Sequence, residues 1–292
     1  MNERTQRIVL YAATAAIVSG LGLAVVFQNR EADVATLLSS ADVQLRLAYG
    51  IPAVDQQGVS LSSRDAMIVQ AEQCLADVER RQPGMAVTAE FAGFARMLRA
   101  DYAGAAAHYE RARRCEDVQP EQFDILAFNQ ARMLAKAGQR QEALAVFAGH
   151  AAALDARYGH QRRLEEAALL RQLGQRDAAR ERLAVVARDA DAEPLASLQA
   201  AQEYLELGEL DAAEGLLQRL GDSLAIADYH RARLKLQRGE VDTSLELLGR
   251  AKQARPAEVK RLLVEDAGAW SAVAKQARFQ ELSGTPAATP LR

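Results

Sequence analysis

Residues 134–147 read LAKAGQRQEALAVF, and near-copies of this stretch return further along the chain. LRQLGQRDAARERL begins at Leu170, LELGELDAAEGLL at Leu205 and LQRGEVDTSLELL at Leu236. In each copy a helical pattern of apolar residues stands on both sides of a glycine. Glycine readily adopts the left-handed backbone that ends one helix and lets the chain reverse. Each copy therefore predicts a helix, a tight turn and a second helix.

The turn position occurs five times, at intervals of 38, 36, 34 and 31 residues. Its occupants are Ala100, Gly138, Gly174, Gly208 and Gly239. Five residues after each turn comes a small side chain, namely Ala105, Ala143, Ala179, Ala213 or Ser244. Four residues further on comes a large one, namely Tyr109, Phe147, Leu183, Leu217 or Leu248. We expect the two helices of a unit to cross closely at the small residue and to bury the large one. Such a hairpin cannot bury its apolar face alone, so successive units must stack.

This pattern resembles the tetratricopeptide repeat, a unit of about 34 residues with glycine, alanine and an aromatic residue at set places. The resemblance covers residues 33–258 and implies an all-α fold, a right-handed α-solenoid of about six helix–turn–helix repeats. Five units start near Ala86, Asp124, His160, Pro194 and Ala225. An earlier unit would have residues 33–49 as its first helix, followed by a long loop over residues 50–63.

The predicted solenoid domain covers residues 31–280. Its C-terminal part, after Pro256, predicts a capping helix. We expect this helix to break near Gly268 and Trp270 to pack on the last unit, because a repeat stack needs a cap at its end. Residues 281–292 predict a disordered tail.

The overall composition agrees with helices and argues against nucleic-acid binding. Apolar residues make up 49% of the chain but aromatic residues only 5%, and the net charge is −3 with both signs interspersed. Proteins that hold nucleic acid through phosphates usually carry a basic stripe, which is absent from this sequence. Cys74 and Cys115 form no CxxC motif, so they imply no zinc site; two buried thiols and a single disulfide both remain open.

The N-terminal domain, residues 1–30, predicts a transmembrane anchor. Residues 8–27 contain no charge, and at about 1.5 Å per residue they match a hydrocarbon core of roughly 30 Å. A cleaved signal peptide is the alternative, but its apolar part is shorter and ends in a small-x-small site. Arg4 and Arg7 precede the segment and Arg30 follows it, which favours a cytoplasmic N-terminus. The small residues Ala12, Ala16, Gly20 and Ala24 share one helix face that another membrane helix could approach.

We find no pattern that indicates catalysis, a cofactor or a metal. The four histidines, His108, His150, His160 and His230, form neither an HExxH pair nor a Cys/His cluster. Phosphate-binding loops and a GxSxG elbow are also absent from the sequence. We therefore expect a binding protein and not an enzyme.

The resemblance implies a concave groove lined by the first helices of successive units. Carried onto this chain, its groove positions are Glu90, Phe94, Asn129, Arg132, Lys136, Glu165, Arg171, Gln199, Gln202, Tyr229, His230 and Arg233. Asn129 and Arg132 stand one turn apart and could hold a peptide backbone and a carboxylate. Family members that grip a C-terminal carboxylate have a lysine and an asparagine in the preceding unit. Glu90 and Phe94 take those places here, so we do not predict that clamp.

The sequence thus predicts a membrane-anchored scaffold that binds a partner protein or peptide as part of a larger assembly. The resemblance to bacterial anchored repeat proteins places it in the inner membrane, with the solenoid outside the cytoplasm. One alternative is a chaperone or assembly factor for client proteins. Two further alternatives are a homo-oligomer built through the small-residue face of the anchor, and an accessory hydrolase or transferase, which the absence of catalytic motifs disfavours.

Overall fold

The computed structural model describes residues 33–53, 62–221 and 223–284. In these ranges the backbone forms helices and no strand, which confirms the all-α prediction. The predicted anchor and its face of Ala12, Ala16, Gly20 and Ala24 lie outside the described residues. None of the helices within the described ranges is both long and apolar enough to span a membrane.

The chain forms two compact units, Met1–Gln139 and Arg140–Arg292. The described helices of the first unit are α1 (Val34–Gly50), α2 (Ser62–Arg81), α3 (Ala86–Leu98), α4 (Tyr102–Arg113) and α5 (Pro120–Lys136). Helix α1 packs on α2, α3 packs on α4, and α4 packs on α5. Asp33 caps α1, because its Oδ1 accepts the backbone N–H of Thr36 at 2.7 Å. The additional unit predicted at the start of the repeats is therefore present as α1 and α2.

The second unit contains the remaining helices. They are α6 (Arg140–Gly149), α7 (Ala151–Gln172), α8 (Arg176–Arg188), α9 (Pro194–Leu207), α10 (Leu210–Leu220), α11 (Ala227–Gln237), α12 (Val241–Ala254), α13 (Pro256–Glu265), a 3₁₀ helix (Ala267–Val273) and α14 (Ala277–Ser283). Helices α7 and α8, α9 and α10, and α11 and α12 pack as antiparallel pairs. Pro194 and Pro256 each start a helix, where a missing N–H removes no helical hydrogen bond.

The turns have the geometry that the repeated stretch predicts. All five turn residues adopt a left-handed backbone, with φ between +58° at Ala100 and +83° at Gly138. The residue after each turn donates its N–H to the carbonyl five residues before it, as Gln139 does to Leu134 at 2.9 Å. This bond is the mark of a Schellman motif, and it satisfies a carbonyl that the ending helix leaves unpaired.

The side chains after the turns pack as predicted. The five small residues and the five large residues at the two repeated positions are all buried. At Ser244, where the other units have alanine, the hydroxyl donates to the carbonyl of Ala232 at 2.8 Å and so is satisfied in the core. Within the pairs α3–α4, α7–α8, α9–α10 and α11–α12, the small side chains let the helices approach and the large ones fill the space between them.

Two helices start earlier than predicted. Helix α5 begins at Pro120 and not near Asp124, and α7 begins at Ala151 and not near His160. The segment before His160 contains no proline, and it buries Leu154, so the extra two turns of α7 are stabilised by packing. The phase of the repeats does not change, because it is set by the turn at the end of each first helix.

The C-terminal cap consists of α13, the 3₁₀ helix and α14, and it breaks next to Gly268 as predicted. Trp270 is fully buried; its ring lies 5.7 Å from that of Tyr229 and stacks on Phe279 at 5.5 Å. Helix α14 continues to Ser283, three residues into the range predicted as tail. Residues 285–292 lie outside the described part.

The cysteine alternatives are also resolved. Cys74 and Cys115 are both free and half-buried. The Sγ of Cys115 donates to the carbonyl of Arg111, and burial raises the pKa of this thiol. Neither residue therefore crosslinks the chain.

Candidate functional site

In the first unit the predicted groove residues lie on α3 and α5 and remain accessible. Phe94, Asn129 and Arg132 are half-buried, and Lys136 is exposed. The Arg132 guanidinium lies over the ring of Phe128 at 5.8 Å, and the Lys136 ammonium lies 5.3 Å from the ring of Tyr102. Both cations thus rest on aromatic faces of their own unit. The Asn129 amide makes no hydrogen bond to another described residue.

An aromatic and aliphatic patch lies on α1 and α3 of the same unit. The ring of Tyr49, at the end of α1, lies 5.9 Å from the ring of Phe94. Tyr49 is largely exposed, as are Val43 and Leu47 on the same helix. Neighbouring exposed apolar side chains of this kind are typical of interaction surfaces.

A buried tyrosine couples the charges of α3 and α5. Burial raises the pKa of Tyr109, the negative charge of Glu90 raises it further, and the positive charge of Arg132 lowers it. Burial also raises the pKa of Glu90 itself, followed by the charge of Asp42. The charges of Glu90 on α3 and Arg132 on α5 thus act in opposite directions on the same hydroxyl. A Cβ on Gly93 would meet the Tyr109 ring at 3.2 Å, so a side chain at this position requires the ring to shift.

In the second unit one predicted groove residue of α7, Arg171, is paired with a carboxylate on α9. Arg171 donates from Nε to Glu203 at 2.8 Å, and this carboxylate raises the pKa of Arg171 against the opposing effect of burial. Glu165 and Gln202 are half-buried, and Gln199 is exposed. The guanidinium of Arg171 is therefore already occupied.

The last three predicted groove residues, Tyr229, His230 and Arg233 on α11, require a correction. Their exposed fractions are 0%, 4% and 3%. The cap covers this part of α11: Trp270 Nε1 donates to the Tyr229 hydroxyl at 3.1 Å, and Arg233 pairs with Asp266 at 3.2 Å and with Glu206. In this conformation these three side chains belong to the interior of the last repeat and not to an open groove.

The buried histidine has unusual electrostatics as a result. Burial lowers the pKa of His230 to about 4, helped by the positive charge of Arg233 and opposed by Glu206. Its Nδ1 has no hydrogen-bond partner among the described residues. The neutral imidazole stands edge-on to Tyr229, with ring centroids 5.4 Å apart. His230 is thus a neutral core residue at physiological pH.

Sequence reasoning missed the residues that decide which part of the groove is open. Tyr49 was not predicted as a surface residue of this kind, because it lies at the end of a helix whose partner helix comes only after a long loop. Three acidic residues were not predicted either, namely Glu203, Glu206 and Asp266. Charged residues at helical spacing are equally consistent with a solvent-exposed helix face. Their spacing could have indicated pairing, since Glu203 follows Arg171 by 32 residues and Arg233 follows Glu206 by 27, both near one repeat length.

The described residues offer polar and aromatic contacts but no arrangement for metal chemistry. Among them, no three His, Cys, Asp or Glu side chains lie close enough together to hold a metal ion. The accessible face of α3 and α5 is suited to hydrogen bonds with a backbone, ion pairs with carboxylates and packing against apolar side chains.

Comparison with known proteins finds similarity in structure but not in sequence. The chain matches no family model, and it matches no curated protein sequence. Its structure is similar to that of PilF from Pseudomonas aeruginosa, with a TM-score of 0.50 and 16% identity over 78% of this chain and 98% of that one. It is also similar to a structure of the Cut9–Hcn1 hetero-tetramer of APC/C, with a TM-score of 0.49 and 15% identity over 87% of this chain and 52% of that one. Both are tetratricopeptide-repeat proteins, so the likeness to PilF supports a tetratricopeptide-like helical fold.

Proposed function

We propose that this protein is a membrane-anchored scaffold that binds a partner protein or peptide on its first unit, without catalysis of its own. The binding surface is the accessible face of α3 and α5, with Phe94, Asn129, Arg132 and Lys136, extended by Tyr49. The fold supports this proposal, because stacked helical repeats present extended surfaces that bind other chains.

The contrast between the two units carries the proposal. At the groove positions of the second unit, Arg171 pairs with Glu203, and Arg233 lies buried between Glu206 and Asp266. In the first unit Asn129 is half-buried, and its amide makes no hydrogen bond to another described residue. An amide in that state gains more from a new hydrogen bond than a fully solvated one does, because it is already partly desolvated.

The chemistry of the face indicates the class of partner. Arg132 and Lys136 lie one turn apart and attract an acidic group, while Asn129 can both donate to and accept from a peptide backbone. Phe94 and Tyr49 offer an apolar contact for an aliphatic or aromatic side chain. We therefore infer an extended segment with an acidic residue next to an apolar one.

The anchor remains part of the proposal. Residues 8–27 are long and apolar enough to span a bilayer, and the charges around them favour a cytoplasmic N-terminus. A reporter that is active on only one side of the membrane, fused after residue 292, tests the orientation. Activity outside the cytoplasm supports the proposed topology, and activity inside contradicts it.

Copurification of tagged full-length protein in mild detergent tests the binding function. The test variant is Asn129→Ala with Arg132→Glu, and the matched control is Arg80→Glu, whose side chain on α2 is 76% exposed. We expect one partner in fixed proportion with the wild type and the control, and its loss from the double variant. The same partner on all three proteins would move the interface away from α3 and α5. Many weak clients without a fixed partner would instead support the chaperone alternative.

A further inference from the structure

Helix α1 carries an exposed stripe of uncharged side chains along its length. This α1 stripe consists of Thr36, Ser40, Val43 and Leu47, all of which are exposed. At 3.6 residues per turn, the four side chains fall within a sector of about 60° of the helix surface. The α1 stripe is therefore one continuous face, separate from the buried face that holds Ala41, Leu45 and Ala48.

Two aliphatic side chains give the α1 stripe its apolar character. Val43 and Leu47 are 50% and 51% exposed and lie one helical turn apart. The other exposed aliphatic side chains recorded for the described residues each stand alone on their helix, namely Val69, Val185, Leu195 and Val264. Single exposed aliphatic residues are ordinary on a protein surface, whereas adjoining ones on one helix face are typical of a packing surface.

The position of α1 in the repeats explains why this face is bare. Helix α1 packs on α2 and α3, and no described helix precedes it. A stack of repeats needs a cap at each end, because a terminal helix has no neighbouring repeat on its outer side. The last repeat has such a cap in α13, the 3₁₀ helix and α14. Within the described part of the chain, nothing corresponding covers α1.

The spacing of the α1 stripe suits the contact of one helix with another. Its members follow one another at intervals of four, three and four residues, which is the spacing of the seam in a pair of supercoiled helices. Thr36 and Ser40 are small enough to let a second helix approach. The charged residues beside the stripe, Asp42 and Arg46, pair with each other at 2.8 Å, so neither needs an ion-pair partner from another chain.

The location of α1 favours a second copy of this chain as the occupant. Only residues 28–33 separate α1 from the predicted anchor segment, and six residues span at most about 21 Å. Two copies anchored in the same bilayer would thus hold their α1 helices at a similar height, and this confinement raises their effective concentration. The bilayer surface is a poorer occupant, because helices that lie on it carry several basic residues, and the single basic residue of α1, Arg46, is paired.

We propose that the α1 stripe packs against the same stripe of a second copy, so that the protein is a dimer in the membrane. The proposal rests on the anchor proposed above. Such a two-fold contact is self-complementary, and it covers Val43 and Leu47 in both copies. Tyr49 lies about 200° around the helix from Leu47, and its ring contacts Phe94. The dimer therefore leaves the proposed partner-binding face accessible in each copy.

Light scattering of the full-length protein in mild detergent tests the proposal through its mass. Leu47→Glu is the test variant, and Val264→Glu is the matched control, because Val264 is an aliphatic residue of α13 with 74% exposure. We expect a dimer for the wild type and the control. Leu47→Glu should weaken dimerisation by about tenfold or more, because the contact would bury an unpaired carboxylate. Circular dichroism checks that both variants are folded.

Disulfide formation in isolated membranes locates the contact. In a background with Cys74→Ala and Cys115→Ala, Val43→Cys should give a disulfide-linked dimer on oxidation, and Val264→Cys should not. A monomeric wild type, or no crosslink from position 43, would overturn the proposal. So would a dimer that Leu47→Glu leaves unchanged, which would place the interface in the anchor. If position 43 of a monomer is shielded from a water-soluble maleimide, the bilayer covers the stripe instead.

Two further readouts separate this proposal from the proposed function. Full-length protein found outside the membrane fraction would contradict the anchor itself. Copurification of the partner with monomeric Leu47→Glu would show that dimerisation and partner binding use different surfaces, as we expect. Loss of the partner from this variant would contradict the separation of the two faces of α1.

Discussion

The hydroxyl of Tyr229 lies 2.9 Å from Oδ2 of Asp266, and Arg233 approaches the same carboxylate oxygen at 3.2 Å. These contacts fasten the C-terminal cap to the first helix of the last repeat. Trp270 completes the contact by donating to the Tyr229 hydroxyl and burying its own ring. The cap thus covers the end of the repeat stack and at the same time occupies the residues that would otherwise line a groove.

Removing one oxygen from this contact should destabilise the second unit. Tyr229→Phe leaves Asp266 and the Trp270 indole without their shared partner, and we expect a loss of about 1–3 kcal/mol in the free energy of unfolding. Urea unfolding followed by the fluorescence of Trp270, the single tryptophan of the chain, measures it. Tyr49→Phe on the exposed end of α1 is the control and should change little. Equal effects of the two substitutions would show that the hydroxyl contact contributes nothing.

The stability of the second unit should fall as the solution is acidified below neutrality. The pKa of His230 is about 4 in the folded chain and 6.5 in an unperturbed one, so between these values the unfolded state binds more protons. The stabilisation is complete above pH 6.5, and we expect about 2 kcal/mol to be lost between pH 7 and pH 5. His230→Gln should flatten this part of the profile of urea unfolding against pH. A profile that is as steep in the variant as in the wild type would assign the effect to another group.

The second repeat should become more stable when its turn gains a glycine. Ala100 is the non-glycine residue with positive φ in the described part of the chain, and a Cβ in that region costs about 1–2 kcal/mol. Part of this gain is offset because glycine has more freedom in the unfolded state, so Ala100→Gly should stabilise by about 0.5–1 kcal/mol. The reverse change, Gly174→Ala, meets no neighbouring atom within 4 Å and should destabilise by a similar amount through the backbone alone. Thermal unfolding followed by circular dichroism compares the two, and a shift of the same sign in both variants would contradict this account.

Breaking the buried ion pair of the fourth repeat should be far more costly than replacing it. Glu166 pairs with Arg162 and accepts from Arg182 at 2.9 Å, and Arg162 also pairs with Asp155 at 2.7 Å. Glu166→Ala leaves the Arg162 charge buried without its closest partner, and we expect a loss of about 3–5 kcal/mol. The double variant Arg162→Met, Glu166→Leu should recover most of this loss, because apolar side chains of similar volume need no pairing. Chemical denaturation of the wild type and both variants measures the change in the free energy of unfolding. If the double variant is as unstable as Glu166→Ala, the ion pairs must stabilise the fold in some way beyond neutralising each other's buried charge.

Much of the fold could be predicted from the sequence, because the residues that define each repeat are close together in the chain and recur in every repeat. One glycine turn, the small residue five positions later and the large residue four positions after that define a unit, and all ten side chains at the two packing positions are buried. Helix starts were less predictable, as the early start of α7 at Ala151 shows. A helix can extend over any segment without a helix breaker when packing rewards it, and the sequence pattern does not record that packing.

The open face could be predicted less well, because openness depends on contacts distant in sequence. Tyr229 and Arg233 occupy groove positions by their place in the repeat, yet residues 27–41 positions away cover them or pair with them. Polar residues with helical spacing do not show in advance whether solvent or another helix faces them.

Site-specific photo-crosslinking in intact cells tests most directly whether a partner lies on α3 and α5. Benzoylphenylalanine replaces Phe94 in one full-length protein and Val264 in another; Val264 is exposed on α13 in the second unit. We predict one crosslinked partner from position 94 and none from position 264. The same partner crosslinked from position 264 but not from position 94 would place the interface on the second unit and contradict the account.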